Sequence, residues 1–265
     1  MKANYHTHTE RCQHASGADE SYVKSALAAG YDELGFSDHC PWPYGGRFES
    51  DMRMTLQQLP GYLSSVRSLQ KKYRGRLRIR LGLECEYFPK YTRWLRDLKE
   101  ENGIEYLLFG NHFYLNEEDG RWFGAASDHR WLSEYLESSL AAMETGLYAY
   151  FAHPDLFMRG YREYDDYCTE VSRELCRQAR RRNFPLEYNL AGAMVNRRSG
   201  REGYPHHRFW EIAAEEGCTA IIGTDAHDNR WLEDDQYRLE GQRFLQGLGI
   251  PLLDSIPGLP EPDGH

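Results

Sequence analysis

Two histidines near the start of the chain, His6 and His8, have the spacing of residues that bind one metal ion together. Side chains alternate between the two faces of a strand, so residues i and i+2 project from the same face. Residues 3–5 are predicted to be a short first strand, and the polar loop after them carries His14. Imidazoles that converge from one strand can hold a divalent cation. The pair alone is weak evidence, because this spacing also arises by chance.

Further candidate ligands each follow an apolar run that predicts a strand. The runs are residues 33–37, 77–83, 106–110, 148–152, 185–188 and 219–223. They lead into Asp38-His39, Glu84, Asn111-His112, His153-Pro154-Asp155, Asn189 and Asp225-Ala226-His227, in that order. Sites in parallel α/β proteins form at the carboxyl ends of strands, both in barrels and in open sheets. We therefore expect these side chains to meet in one place.

The remaining histidines serve as an internal comparison. No apolar strand precedes His129, His206, His207 or His265, and we predict that all four are surface residues. A donor set that mixes imidazoles and carboxylates favours Zn²⁺, Mn²⁺ or Fe over Mg²⁺ or Ca²⁺. Three cysteines lie next to candidate ligands, namely Cys12, Cys40 and Cys85. For Cys85 a packed thiol is favoured, because strand alternation turns it away from Glu84.

Segments with helical periodicity separate the predicted strands. They cover residues 18–30, 56–73, 91–101, 131–145, 165–182, 209–217 and 235–248. The alternation gives about seven strand-plus-helix units, which is typical of a parallel α/β sheet. A length of 265 residues suits one domain spanning 1–265, since α/β barrels of this size are commonly undivided. The Pro/Gly-rich tail after residue 248 is predicted to pack loosely, if at all.

The composition predicts a cytoplasmic protein that contacts neither membranes nor nucleic acid. The chain contains no apolar run near the length of a membrane span and no signal-peptide pattern at its start. Its six scattered cysteines favour free thiols in a reducing compartment. A net charge of −9 argues against a stable nucleic-acid partner. An anionic substrate remains compatible with that charge, because bound divalent ions would make the site itself more positive.

Taken together, these motifs resemble the polymerase-and-histidinol-phosphatase (PHP) family. The resemblance spans residues 4–227 in the family's order, from His6-Thr7-His8 to Gly223-Thr224-Asp225-Ala226-His227. It implies a distorted (β/α)7 barrel of the PHP type, with the metal site at the carboxyl ends of the strands. That fold agrees with the count of seven units.

The resemblance also implies a site for two to three divalent ions, Zn, Mn or Fe. Three ligand groups follow from it. The first metal would be held by His6, His8 and Asp225, and Glu84 would bridge it to the second. The second metal would also be held by His112 and His153, and the third by His14, His39 and His227. Asp38 would fix the tautomer of a neighbouring ligand such as His39. All nine ligand positions hold a competent residue, which argues against a non-catalytic member.

Within the family, the chain looks most like the histidinol-phosphate phosphatases. This implies a small phosphorylated substrate, inorganic phosphate as product and a role in histidine biosynthesis. The resemblance makes Asn189 a candidate for binding the substrate. Met194 stands where an arginine near Asn189 is expected, so Arg197, Arg198 and Arg159 become candidates for binding phosphate. The alternative for each arginine is a solvated loop residue. The aromatic loop at Trp42 and Tyr44 either covers the substrate or caps the barrel.

The implied reaction is hydrolysis of a phosphomonoester by a metal-activated water. Glu84 and Asp225 would act through the metals, and Asp155 is a candidate for assisting the leaving group. Three alternatives stay open: a nuclease or nucleotide phosphatase of the same family, a phosphotyrosine-protein phosphatase, and a metal-binding module without turnover.

Overall fold

A computed structural model describes residues 1–259 and consists of strands and helices in near-regular alternation. The strands are β1 Ala3–Asn4, β2 Glu33–Phe36, β3 Arg78–Cys85, β4 Tyr106–Gly110, β5 Tyr150–Ala152, β6 Leu186–Asn189 and β7 Ala220–Gly223. The helices are α1 Asp19–Ala28, α2 Leu59–Lys72, α3 Thr92–Glu101, α4 His129–Glu144, α5 Asp166–Arg181, α6 Leu190–Ser199, α7 His207–Glu215 and α8 Gln236–Gly247.

All seven strands form one parallel sheet in the order of the sequence, β1 to β7. The sheet curves into a nearly closed barrel, so the predicted (β/α)7 barrel is confirmed. The seam between β1 and β7 closes just beyond the strands, where the His8 amide donates to the Ala226 carbonyl at 3.0 Å and the Ala226 amide donates to the His6 carbonyl at 3.1 Å. Below these bonds the side-chain oxygen of Asn4 accepts from the Thr224 amide at 2.7 Å. The candidate ligands therefore flank the seam.

The barrel interior is built around one large ring. The Tyr106 hydroxyl lies 2.8 Å from the Tyr5 carbonyl and 3.0 Å from the Phe36 carbonyl. Gly35 and Gly82 make room for this ring, since a Cβ at Gly82 would lie 2.4 Å from a ring atom. Glycine at these two positions therefore lets a single tyrosine fill the middle of the barrel.

The segment after α8 corrects the prediction of a loosely packed tail. The Leu253 amide donates to the Ala220 carbonyl at 2.8 Å, and Leu252 forms a parallel bridge with Ala220. Ile256 is 5% exposed and packs with Ala3 and Tyr5 at the bottom of the barrel. Apolar residues spaced through the Pro/Gly-rich stretch thus plug the barrel. The last part of that prediction, residues 260–265, lies outside the described residues.

A second correction concerns α6, which sequence reasoning had taken as a loop after Asn189. The Asn189 side chain caps this helix by accepting from the Gly192 amide at 2.8 Å, and Gly200 ends it in the left-handed conformation. Two other features agree with the sequence. All six cysteines lie in the described part, buried and without a disulfide. No helix in residues 1–259 has the length and apolarity that crossing a bilayer requires.

Candidate metal centre

Glu84, near the end of β3, lies at the middle of the nine candidate ligands. Its Oε1 is 2.8 Å from His153 Nε2 and 3.3 Å from His112 Nε2. Its Oε2 is 3.1 Å from His39 Nδ1 and 3.4 Å from His6 Nε2. The two oxygens of one carboxylate thus face different groups of imidazoles, which is the arrangement that a bridging ligand needs.

The seam of the barrel contributes a group of three residues: His6, His8 and Asp225. Asp225 Oδ1 is 3.0 Å from His8 Nε2 and 3.4 Å from His6 Nε2. With zinc–ligand bonds of about 2.0–2.1 Å, donor atoms at the corners of a tetrahedron lie about 3.3 Å apart. These spacings therefore match donors arranged around one ion.

The remaining predicted group lies at the mouth of the barrel. His14, His39 and His227 offer ring nitrogens that all lie within 4.8 Å of one another. His14 is exposed, whereas His39 is buried. The His14 Nδ1–H donates to the Cys12 carbonyl at 2.7 Å, which leaves Nε2 free to accept, 2.9 Å from His227 Nε2. This group is open to solvent on one side, while the seam group is fully buried.

Several buried ring nitrogens in this cluster have no hydrogen-bond partner within residues 1–259. They include Nε2 of His6, Nε2 of His8 and Nδ1 of His39. Buried polar atoms in proteins are nearly always satisfied, so a set of orphaned nitrogens pointing toward carboxylates needs an explanation. Divalent cations provide one, and the donor set of imidazoles and carboxylates suits Zn²⁺, Mn²⁺ or Fe.

The electrostatics of the cluster also suit cations. Burial lowers the pKa of His227 to about 3 and the pKa of His39 well below its usual range, so both rings are neutral ligands. Burial acts the same way on His112, but the Glu84 and Glu86 carboxylates outweigh it and raise the pKa of His112 to about 10. Burial disfavours charge on Glu84, yet the surrounding imidazoles hold its pKa well below the usual range. The negative electrostatic field of the carboxylates, which raises the pKa of His112, also attracts divalent cations.

Two acidic residues orient histidines through their second ring nitrogen. His6 Nδ1–H donates to Glu187 at 2.8 Å, and His112 Nδ1–H donates to Glu86 at 2.8 Å. Such hydrogen bonds fix the tautomer of a ligating histidine and leave Nε2 facing the centre. The Asp38 carboxylate lies 3.6 Å from His8 Nδ1, beyond hydrogen-bond distance, and accepts from the His39 amide. Asp38 thus lies behind His8, rather than beside the ring of His39.

The backbone at the strand ends is shaped for these side chains. A Cβ at Gly110 would lie 2.4 Å from Glu84 Oε1, and one at Gly223 would lie 2.2 Å from Glu187 Oε2. His153 and Asp225 have positive φ values of 36° and 52°. Few residues other than glycine adopt this conformation, although aspartate and histidine do so more often than most, and such strain concentrates at functional sites.

A cavity of about 330 Å³ opens above the ligands. Its wall carries Arg159 as well as aromatic and apolar residues; these are Met52, Trp122, Leu156, Ala191, Val195, Tyr204 and Trp231. The Arg159 guanidinium lies 4.9 Å from the centre of the Trp122 ring, which orients it. The volume is that of a site for a small ligand.

Four residues that the sequence suggested for substrate or catalysis lie away from this wall. Trp42 is buried, and its Nε1–H donates to Glu86 at 2.7 Å, so it does not cover the cavity. Arg197 pairs with Glu240 at 2.6 Å in a separate surface cleft. Asn189 donates to Glu187 at 2.7 Å and to Asp225 at 3.2 Å, so it positions ligands.

Asp155 is the fourth of these residues, and its carboxylate is fully buried. It accepts from the His206 amide at 2.7 Å, which fastens the segment that carries Tyr204. Burial raises the pKa of Asp155 to about 7. Because Asp155 is not among the residues that line the cavity, a direct role on the leaving group does not agree with the structure.

The prediction for the other histidines was partly wrong. His129 and His207 are exposed, as expected. His206 is only 8% exposed; it caps α7 by accepting from the Arg208 amide at 3.2 Å, and its ring stacks on Tyr164. Tyr164, which buries this ring, comes from a distant part of the chain, so no local pattern indicates the packing. His265 lies outside the described residues.

Glu86 and Glu187 are functional residues that sequence reasoning missed. Both are fully buried, and each lies two positions from a candidate that was recognised, Glu84 and Asn189. The period of two along a strand was the available signal, because it places each pair on one face. The aromatic wall at Trp122, Tyr204 and Trp231 comes from loops and carried no comparable signal.

Comparisons with known proteins agree with this geometry. The family model of the PHP domain matches residues 4–191. A protein of Deinococcus radiodurans named "Probable histidinol-phosphatase" is 30% identical over 236 residues, covering 84% of this chain and 85% of its own. The histidinol-phosphatase of Bacillus subtilis is 33% identical over 95 residues, 34% of this chain and 35% of its own.

A solved structure shares the fold. It is the histidinol phosphate phosphatase of Lactococcus lactis in complex with zinc, L-histidinol and phosphate, which superposes with a TM-score of 0.74 at 19% identity. The match covers 95% of each chain.

Proposed function

The chain belongs to the PHP domain family, and on this basis we propose that it is a metal-dependent phosphomonoester hydrolase acting on L-histidinol phosphate. The observation that carries the proposal is the gathering of nine imidazole and carboxylate ligands below a small cavity with a guanidinium on its wall. The names of the relatives support the substrate, as do the L-histidinol and phosphate bound by the Lactococcus lactis protein.

We propose that two to three divalent ions, Zn, Mn or Fe, occupy the centre. The groups that would hold them are His6, His8 and Asp225; Glu84, His112 and His153; and His14, His39 and His227, with Glu84 shared between the first two. When bound, such ions polarise phosphoryl oxygens and make water more acidic.

The side chains above the ligands would bind the substrate. Arg159 is placed to bind phosphoryl oxygens through charge-assisted hydrogen bonds. Arg198 is a second candidate, because it shares a face of α6 with Ala191 and Val195, which line the cavity. The rings of Trp122, Tyr204 and Trp231 would pack against the flat imidazole of histidinol and limit the access of water.

A substrate panel tests this function. The metal-loaded protein should release phosphate from histidinol phosphate with a higher kcat/KM than from nucleoside monophosphates or phosphotyrosine. A higher kcat/KM on nucleotides would assign the chain to a nucleotide phosphatase instead, and the two tryptophans of the wall would then be stacking surfaces for a base. Inorganic phosphate is the product in either case.

Elemental analysis tests the metals. Protein purified without chelator should contain two to three equivalents of Zn, Mn or Fe, whereas one equivalent or fewer after reconstitution would contradict a multinuclear centre. We further propose that the chain acts as one domain, because a single sheet holds all seven strands. Its free thiols suit a reducing compartment such as the cytoplasm.

A further inference from the structure

Glu86 is a buried carboxylate that connects a candidate metal ligand to the outer part of the molecule. It follows β3 directly and accepts from His112 Nδ1–H at 2.8 Å. In the neutral ring, which is the form that ligates a metal, this contact keeps the proton on Nδ1 and leaves the lone pair on Nε2, 3.3 Å from Glu84. Glu86 thereby selects the tautomer in which His112 can ligate a metal.

Arg53 holds both oxygens of Glu86, including Oε1, which also accepts from His112. Its Nη2–H donates to Glu86 Oε1 at 2.9 Å and its Nη1–H donates to Oε2 at 3.1 Å, a two-point contact that fixes the plane of the carboxylate. The remaining donors reach the Cys40 carbonyl at 3.0 Å and Glu117 at 2.6 Å. Arg53 is 1% exposed, so the pair is shielded from solvent.

The position of Arg53 in the chain also relates it to the substrate cavity. The preceding residue, Met52, lines that cavity. The Arg53 carbonyl accepts from the Gln13 side chain at 3.0 Å, and Gln13 precedes the candidate ligand His14. Arg53 therefore contacts the residue before His14 through its backbone and the carboxylate behind His112 through its side chain, while Met52 lines the cavity.

If the only role of Arg53 were to anchor its own loop, an ion pair with any buried carboxylate would be sufficient. Arg53 pairs with two carboxylates, Glu117 and Glu86, and within the described residues Glu86 is the one that accepts from His112 Nδ1. We propose that Arg53 is a positioning residue that acts through Glu86 on His112 and so sets the affinity of the metal held by His112 and His153. The inference rests on the proposed function, because it requires a metal at this place.

Metal-binding isotherms of the chelator-treated protein test the proposal without any substrate. The variant His112→Ala is measured first, and the binding step that is lost in this variant is the step that involves His112. Arg53→Met should weaken this step by ten- to a hundredfold, the usual effect of losing a contact behind a metal ligand, and leave the other steps within about threefold. Arg47→Met is the matched control, an exposed arginine of the same loop, and should change no step.

A double-mutant cycle separates this role from a general loss of structure. In the Glu86→Gln background, Arg53→Met should change the affinity of the His112 step by no more than about twofold. An equal effect in both backgrounds, or equal weakening of every step, would overturn the proposal. If Arg53→Met does not fold, Arg53→Lys replaces it, and the same selective but smaller loss is expected. Intact isotherms with no phosphate release would point to failure of the proposed function alone.

Discussion

Replacing Glu84 with glutamine should damage the enzyme more than the loss of any other single ligand. The change keeps the size of the side chain but turns one accepting oxygen into an NH2 group, which cannot bind a metal. Each oxygen of Glu84 has two imidazole nitrogens within 3.4 Å. If the weakened hold on each of the two ions that Glu84 would share costs about 1.5–3 kcal/mol, as does the loss of a contact to a charged group, the total is about 3–6 kcal/mol. At about 1.4 kcal/mol per decade, kcat/KM should fall by roughly two to four powers of ten.

The assay is phosphate release from histidinol phosphate, with metal content measured on the same samples. Glu84→Gln should lose metal as well as turnover, while circular dichroism and gel filtration remain as in the parent protein. His129→Ala is the control, because His129 is exposed and its ring lies beside Asp165, Tyr161 and Tyr167, none of which is a candidate ligand. Glu84→Gln with a full metal complement and more than about a tenth of the parental turnover would refute the bridging assignment.

The remaining predictions concern the cavity, the barrel and the metals. Arg159→Met should raise KM for histidinol phosphate by about ten- to a hundredfold, since a charge-assisted contact is worth about 1.5–3 kcal/mol, whereas Arg197→Met should leave it nearly unchanged in the same kinetic assay. Gly82→Ala should cost about 1–3 kcal/mol of unfolding free energy in a denaturant titration, because the new Cβ meets Tyr106; an unchanged midpoint would contradict the packing. His206→Ala should lower the free energy of unfolding by about 1 kcal/mol, because His206 caps α7, and should leave kcat/KM within twofold of the parent. A loss of activity at unchanged stability would contradict this role. Removal of the metals by a chelator should lower the melting temperature, because a ligand that binds the native state stabilises it, and added metal should restore the original value. A melting temperature that does not change with chelator would contradict metal binding at the centre.

The ligand positions could be predicted because they obey a local rule. His39, His112, His153 and Asp225 each follow a buried strand directly, and parallel strands bring such residues to one edge of a barrel. The apolar runs themselves were long enough to mark the strands. All seven predicted helices start and end within three residues of the bounds of an observed helix.

Other features depend on packing that no local pattern encodes. Helix α6 buries only Leu190, Gly192 and Met194, so its apolar periodicity is faint, and it forms because Asn189 caps it and Gly200 ends it. The loop composition at Trp42 allows either a cover over the substrate or a cap on the barrel, and Trp42 packs against Phe88 and donates to Glu86. A tryptophan in a loop between strands is compatible with either place until the rest of the barrel is known.

The seam of the barrel has a consequence for the order of assembly. His6 and His8 belong to the first strand region, whereas Asp225 and His227 lie after the last strand, so nearly the whole chain separates the two halves of one metal group. This metal group is complete only when the first and last strands have come together. An ion bound across the seam would act as a cross-link between the ends of the sheet. It would close a loop whose entropy in the unfolded chain, by analogy with a disulfide, is worth on the order of 5 kcal/mol. Such an ion would therefore resist reopening of the sheet along the seam.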